Sequence, residues 1–309
     1  DDGGGIFKND GTLTLTDSTV SGNTASDNGG GILNYGGTLT ITGSTVSGNT
    51  ANTSGGGIYN YKGTLTLTNS TVSGNRAGVD GGGIFNDGTL TLTDSSVSNN
   101  SATDDGGGIA SYSGTLTLAR SSLTGNSAGD LGGGIGIDFT ALTLTNSTVS
   151  GNTSRLGGGV YVYGSSSTVN LSFSTLTGNQ VTSAGGGIYI DSGTVKLKGV
   201  ILGGNTSQSG SGPECNGSLT SQGYNLIKSN ADCGFTAQTT DILNQDPLLG
   251  PLANNGGPTQ THLPAEGSPV LDKVPTADCT DLDGNRLTTD QRGVKRPQGA
   301  KCDIGAVER

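Results

Sequence analysis

The sequence predicts an all-β chain: a parallel β-helix solenoid of about eight to nine coils, three short strands in each, with a disulfide-containing C-terminal cap. Three observations predict it. Glycine triplets begin at Gly3, Gly29, Gly55, Gly81, Gly106, Gly132, Gly157 and Gly185, spaced 25 to 28 residues apart. An asparagine column keeps the same beat at Asn23, Asn49, Asn75, Asn100, Asn126, Asn152, Asn179 and Asn205. Within each unit the apolar residues alternate with polar ones, as in GTLTLT, where Leu65 and Leu67 share one face and Thr64, Thr66 and Thr68 the other. Self-similarity at a fixed period marks a solenoid or a propeller, and a propeller blade needs about 40 residues or more. A shorter unit fits one coil, stacked on the next at about 4.8 Å through backbone hydrogen bonds.

The elements of a unit follow in order. The strands are GGGIYN, TLTLT and STVSGN, punctuated by Gly, Asn and Ser turns. Three inward columns result. One begins Ile6, Ile32, Ile58, Ile84; a second Leu13, Leu39, Leu65, Leu90; a third Val20, Val46, Val72, Val97. The glycines permit tight turns and close backbone packing. No helix follows the triplets, so they build no phosphate cradle. The asparagines read as a structural turn ladder, each amide bonding to the coils above and below.

Composition narrows the function. The chain has 309 residues, 58 of them glycine, with no Met or Trp, one His, 13% charged residues and a net charge of -10. A phosphate binder needs a basic face, so nucleic acid is excluded as a partner, and so is an anionic membrane surface. No apolar run approaches the roughly 18 residues of a membrane-spanning helix, and no membrane insertion is expected. The chain opens in mid-repeat at Asp1, which reads as a processed form with its leader removed. Cys215, Cys233, Cys279 and Cys302 lie in the last third without CxxC spacing, which argues for disulfides in an oxidising compartment rather than zinc. Of the three pairings that four cysteines allow, the nearest-neighbour one is expected, Cys215 with Cys233 and Cys279 with Cys302.

From Gly29 to about Asn205 the units resemble the right-handed parallel β-helix repeats of bacterial surface and autotransported proteins. The end of the chain carries SLTSQGYNLI, DPLLGPLANNGGPTQTHLP, GSPVLDK, DQRGVKRPQG and CDIGAVE, and resembles the choice-of-anchor Q family of secreted bacterial proteins. That resemblance implies secretion or display on the bacterial cell surface, and no established enzymatic activity. SLTSQGYNLI is expected to form a last coil closed by Cys215 and Cys233. The following segment is rich in proline, which cannot donate to a ladder. The expected division is residues 1–235 as the repeats and 236–309 as a capping or docking module over the last coil.

Acid–base catalysis needs a carboxylate pair at a defined separation. The carboxylates here are scattered: Asp80, Asp104, Asp105 and Asp130 precede glycine triplets where other coils have Ser54, Leu156 or Ala184. They read as solvated turn residues, the alternative being a loose calcium site. DLDGN at Asp281–Asn285 faintly resembles a calcium loop but lacks the closing Glu, so a turn is expected. His262 has no Ser, Cys or second His placed as a catalytic partner and reads as a cap residue. No catalytic residue, metal site or cofactor is expected, and the chain is read as not an enzyme; a polysaccharide lyase or hydrolase is the least favoured reading.

Two surface columns remain. The threonines of TLTLT resemble an ice-binding array, but the pattern decays to Thr194, Lys196 and Lys198, and strand propensity explains it equally. Phe7, Tyr59, Phe85, Tyr161 and Tyr189 share an outward column, facing a partner or a glycan or else stacking on one another. Finally, Asp1, Asp2, Gly3, Gly4, Gly5 and Ile6 enter the first repeat directly, an open edge that invites head-to-tail self-association into filaments. The resulting expectation is a secreted or cell-surface structural protein, a filament subunit or a stalk or adhesin, with a polysaccharide- or ice-binding module as the alternative.

Overall fold

The structure, a computed structural model, describes residues 2–309. It is a parallel β-solenoid of about nine coils, and no α-helix occurs among the described residues. We number the coils from their glycine triplets: coil 1 is residues 3–28, coil 2 29–54, coil 3 55–80, coil 4 81–105, coil 5 106–131, coil 6 132–156, coil 7 157–184, coil 8 185–211, and coil 9 starts at Gly212.

The coils stack in strict register. Ile6, Ile32, Ile58, Ile84, Ile109, Ile135, Val160, Ile188 and Cys215 pair in succession. Val20 starts a second column that runs through Val46, Val72, Val97, Leu123, Val149, Leu176 and Leu202 to Ile227. These columns merge into one continuous aliphatic core. Like stacked on like keeps every rung about the same width, which favours close packing of the core.

There are three sheets along the rod, but their partition differs from the sequence reading. The GGGI and TLTLT strands belong to one sheet; in coils 3, 4 and 5 they run together as Ile58–Thr68, Ile84–Thr93 and Ile109–Ala119. STV strands form the second sheet. The third is built from very short strands just after the asparagine, such as Thr50–Ala51 and Arg76–Ala77, which two residues of alternation do not reveal.

The triplet glycines have two separate reasons. The first of each triplet has positive φ, as at Gly55 (69°). The second and third touch the next coil: a Cβ on Gly56 would lie 2.4 Å from the Gly82 carbonyl. After TLTLT the chain turns through a left-handed residue in every coil, Asp17, Gly43, Asn69, Asp94, Arg120, Asn146, Phe173 and Gly199. Asp, Asn and Gly enter that region at least cost, and they fill six of these eight positions, Arg120 and Phe173 being the exceptions.

The C-terminal residues do more than meet the last coil. Ile242–Leu243 extends the second sheet by one rung, and residues 244–309 then run back along the side of the rod. Gly305 donates to Gly199, Ala306 to Thr175 Oγ1, Leu282 to Ser172 Oγ and Gln291 Nε2 to Ser121 O, so this flank segment covers the second sheet from coil 8 to coil 5. The expected placement over the end is corrected by a second core, in which Phe173, Ile201 and Leu226 meet Val270, Val274, Cys279, Cys302 and Ile304. Ile201 and Leu226 continue the outward threonine column through Thr148 and Thr175, so that face turns apolar where it is covered.

Candidate functional site

The eight asparagines form an internal ladder. Each Nδ2 donates to the next Oδ1 at 2.9–3.0 Å, and the same oxygen also accepts the preceding asparagine's backbone N–H. The second Nδ2 hydrogen goes to a carbonyl of the coil below, for example Asn126 to Val97 at 3.0 Å. From Asn49 onward the side-chain bonding capacity is thereby used inside the rod. Glu214 ends the ladder, accepting from Asn205 Nδ2 at 2.6 Å and from Gly204 N at 3.0 Å. Two further ladders escaped the sequence reading. Ser44, Ser70, Ser95, Ser121, Ser147 and Ser174 each accept a backbone N–H from the coil below. Asn34, Asn60, Asn86 and Ser111 are joined through their side chains and buried.

The cysteines form Cys215–Cys233 and Cys279–Cys302. The first joins coil 9 to its neighbouring strand; the second lies in the flank core. The DQRGVKRP and CDIGAVE stretches meet there as a buried polar knot. Arg296 is fully enclosed, donates to Glu308 Oε1 at 2.6 Å and to the Asp303 and Gly305 carbonyls, and lies 4.7 Å over the Phe173 ring. Asp290 holds Arg292 at 2.8 Å and accepts the Glu308 amide. These motifs thus fasten the flank segment.

His262 does have a serine partner, which corrects the sequence reading. Its Nε2 lies 2.8 Å from Ser150 Oγ, and Nδ1 meets the Gly250 carbonyl at 2.7 Å. Ser150 is only 4% exposed, and burial lowers the imidazole pKa. The pair, 112 residues apart, pins a hairpin of the flank segment to coil 6. In DLDGN the Asp281 carboxylate accepts the Asp283 and Asn285 amides, closing the turn on itself.

The first coil is more open than the rest. Gly4, Gly5 and Ile6 donate to coil 2 and Gly3 to the Asn28 carbonyl, and Asp2 accepts from Asn28; Asp1 lies outside the described residues. Ile6, Leu13 and Val20 are only partly buried, while Ile32, Leu39 and Val46 are enclosed.

The outward aromatic column is where the rod surface becomes a site. Tyr59 stacks on Phe85 at 4.6 Å and 3°, Phe85 on Tyr112 at 5.2 Å, and Tyr161 on Tyr189 at 5.5 Å and 9°. Of the two expected arrangements, the rings stack on one another. Phe7 is 56% exposed, but Tyr161 is only 9% exposed, because the rings lie flat on one another. Tyr112 was invisible in the repeat alignment: a register shift between coils 4 and 5 makes it an extra residue and swings it onto Phe85. Ala110 and Gly136 occupy the column between the two stacks. The gap is a cavity of about 260 Å³ whose lining includes Tyr112, Tyr161, Tyr163, Asp105 and Asp138.

Carboxylates crowd its rim. Asp104, Asp105 and Asp130 place oxygens within 4.8 Å of one another. Asp105 already accepts the Leu131 amide at 3.0 Å, and Asp130 pairs with Arg155. Burial first, then Asp104 and Asp80, push the Asp105 carboxyl up to about 7. Burial and the neighbouring Asp191 raise the Tyr161 phenol to about 12. No catalytic pair with an attacking group and an acid at opposed positions is assembled here among the described residues.

Residues 36–207 match the protein family described as the right handed beta helix region. Residues 17–35 match the Chlamydia polymorphic membrane protein repeat. No curated protein and no solved structure matches the chain. No helix among the described residues is long and apolar enough to cross a membrane. The first match covers more than half of the sequence and coincides with the stacked coils, so the chain belongs to the right-handed β-helix family.

Proposed function

We propose that this chain is a structural module of a bacterial cell-surface or secreted protein, a stiff rod that holds other parts at a distance, with no catalytic activity of its own. One observation carries this reading. The inward columns stay aligned from coil to coil and are tied by an asparagine and a serine ladder along the rod, with a third ladder in coils 2 to 5. Such a one-dimensional array gains stiffness from nearest-neighbour contacts alone. Two disulfides favour an oxidising compartment, and the match to a membrane-protein repeat agrees with a surface location. The resemblance of the C-terminal motifs to choice-of-anchor Q proteins supports the same placement.

A narrower form is head-to-tail stacking into a filament, in which the partly buried Ile6, Leu13 and Val20 would meet a further coil. That edge accepts a further coil, whether from preceding residues of the same polypeptide or from a second molecule. Antibody labelling of intact cells of the source bacterium tests location, and electron microscopy tests shape and stacking. Surface label and rods about nine coil rises long support the proposal. A cytoplasmic protein with reduced cysteines, or release of oligosaccharides from added polysaccharide, overturns it. Particles that remain single at high concentration remove the filament form alone.

A further inference from the structure

We propose that the gap in the aromatic column at Gly136 is a binding site for an alkylated organic ammonium group, held between the Tyr112 and Tyr161 rings and facing Asp105 and Asp138. A rod whose gap binds nothing is still a rod, so this site stands apart from the proposed function.

The geometry is that of a stack with one ring left out. Ala110, Gly136 and Tyr161 pair in adjacent coils, so the levels of Tyr112 and Tyr161 are two coil rises apart, roughly 10 Å. A group centred between them lies about 5 Å from each ring, inside the roughly 6 Å over which a cation is attracted to an aromatic face. Both rings are braced from behind, Tyr112 by Phe85 and Tyr161 by Tyr189, so the walls are preorganised. Tyr163 and Leu131 add further lining.

The charge around the gap selects the guest. The cavity lining holds two carboxylates, Asp105 and Asp138, and no lysine or arginine. Asp138 Oδ1 is buried without a hydrogen-bond partner, a costly state unless a ligand compensates it. Arg155, the nearby cation, is already paired with Asp130. An anionic sugar acid is repelled by such a rim. A neutral sugar can donate to the carboxylates but brings no charge to offset theirs. A quaternary ammonium suits both features: its methyl groups pack on the rings, and its charge faces the carboxylates without demanding directed bonds.

The decisive variant is Gly136→Tyr. Gly136 has ordinary φ, and an added Cβ meets nothing closer than 3.4 Å, so the position accepts a side chain. The new ring completes the column and fills the gap while leaving the ladders untouched. Calorimetric titration of the full chain uses choline, with 3,3-dimethylbutan-1-ol as its neutral isostere and methyl glucoside as the sugar probe. Choline is expected to bind with a millimolar or tighter Kd and the isostere about tenfold more weakly. Gly136→Tyr abolishes choline binding with the unfolding midpoint unchanged or raised, and Asp138→Asn weakens it several-fold. A trimethyllysine peptide and glucosamine then distinguish a modified protein from an amino-sugar polymer as the source of the ammonium group. Equal binding of choline and its isostere, binding of methyl glucoside alone, no binding of choline at tens of millimolar, or choline binding that survives Gly136→Tyr each overturns the proposal.

Discussion

The rod and the flank segment solve the same problem, burying polar groups, in opposite ways. The rod uses neutral amides and hydroxyls, repeated in every coil and each satisfied by its neighbours. The flank segment uses charges, gathered once around Arg296, Glu308 and Asp290. A ladder spreads its contribution over many equal rungs, and one defect stays local. A knot concentrates its contribution in a few groups, and removing one leaves the others buried and unpaired. The rod therefore tolerates drift in its sequence, as its rotating turn residues show, whereas the flank segment depends on individual side chains.

The sharpest way to break this contrast is Arg296→Ala. It strips Glu308 of its buried partner and Phe173 of the guanidinium over its ring. A cost of about 3–5 kcal/mol is expected, as for other half-removed buried pairs. In hydrogen exchange the flank segment should lose protection before the coils do. Replacing Arg296 and Glu308 together with apolar residues of similar size should recover most of that loss. If Arg296→Ala costs less than about 1 kcal/mol in urea unfolding, the knot is not what holds the segment on.

Asn126→Ala comes next. It leaves the Asn100 backbone and side-chain donors unpaired and frees the Val97 carbonyl. Buried unsatisfied groups cost about 1–3 kcal/mol in all such cases, so about 2 kcal/mol is expected, with exchange raised only in coils 4 to 6. The same change at Asn23, in the half-open first coil, should cost less than half as much. Equal costs at the two positions would show that the rungs are not independent.

These differences also set how much was legible beforehand. Coil period, inward columns, asparagine ladder and disulfide partners all repeat or lie near one another along the chain, so pattern alone exposes them. The contacts that were missed are non-local or break the pattern. Ser150 and His262 meet only because the flank segment folds back, and nothing in either neighbourhood announces it. Tyr112 is displaced by one extra residue, which hides it from any alignment at a fixed period. Ile201 and Leu226 were a readable sign of the flank contact, since they sit where earlier coils carry threonine. Gly136 was equally visible as a gap in a row of aromatics, but a gap becomes a cavity only when flanking rings are braced.

A smaller effect separates the rod's two aromatic stacks from its ladders. Phe85→Ala removes a ring stacked on both sides, by Tyr59 and Tyr112. The specific stacking is worth about 0.5–1.5 kcal/mol beyond area burial, and Phe85 is only half-buried, so a loss of about 1–2 kcal/mol is expected in denaturant titration. The choline site should weaken as well, because Tyr112 loses its brace. A stability loss that leaves choline affinity unchanged would detach the Tyr59 stack from the site.

The smallest effect is in the pH dependence, and it arises in both regions: burial raises the Glu308 carboxyl of the flank knot and the Asp105 carboxyl of the rod alike to about 7. Asp105 sits in a turn beside Asp104 and Asp80, and burial with these like charges raises its carboxyl to about 7 from 3.8. The folded chain therefore holds this proton more tightly than the unfolded chain. The resulting stabilisation is complete below about pH 4, fades as pH rises towards 7, and is absent above it. Between pH 5 and 8 the thermal midpoint should fall by a few degrees at most, since the turn remains within reach of solvent screening. Asp105→Asn keeps an oxygen for the Leu131 amide and should remove the rod's share of this slope without lowering the midpoint at pH 8, leaving the share of Glu308. A wild-type slope that persists undiminished in Asp105→Asn would place the whole of the pH sensitivity in the flank knot.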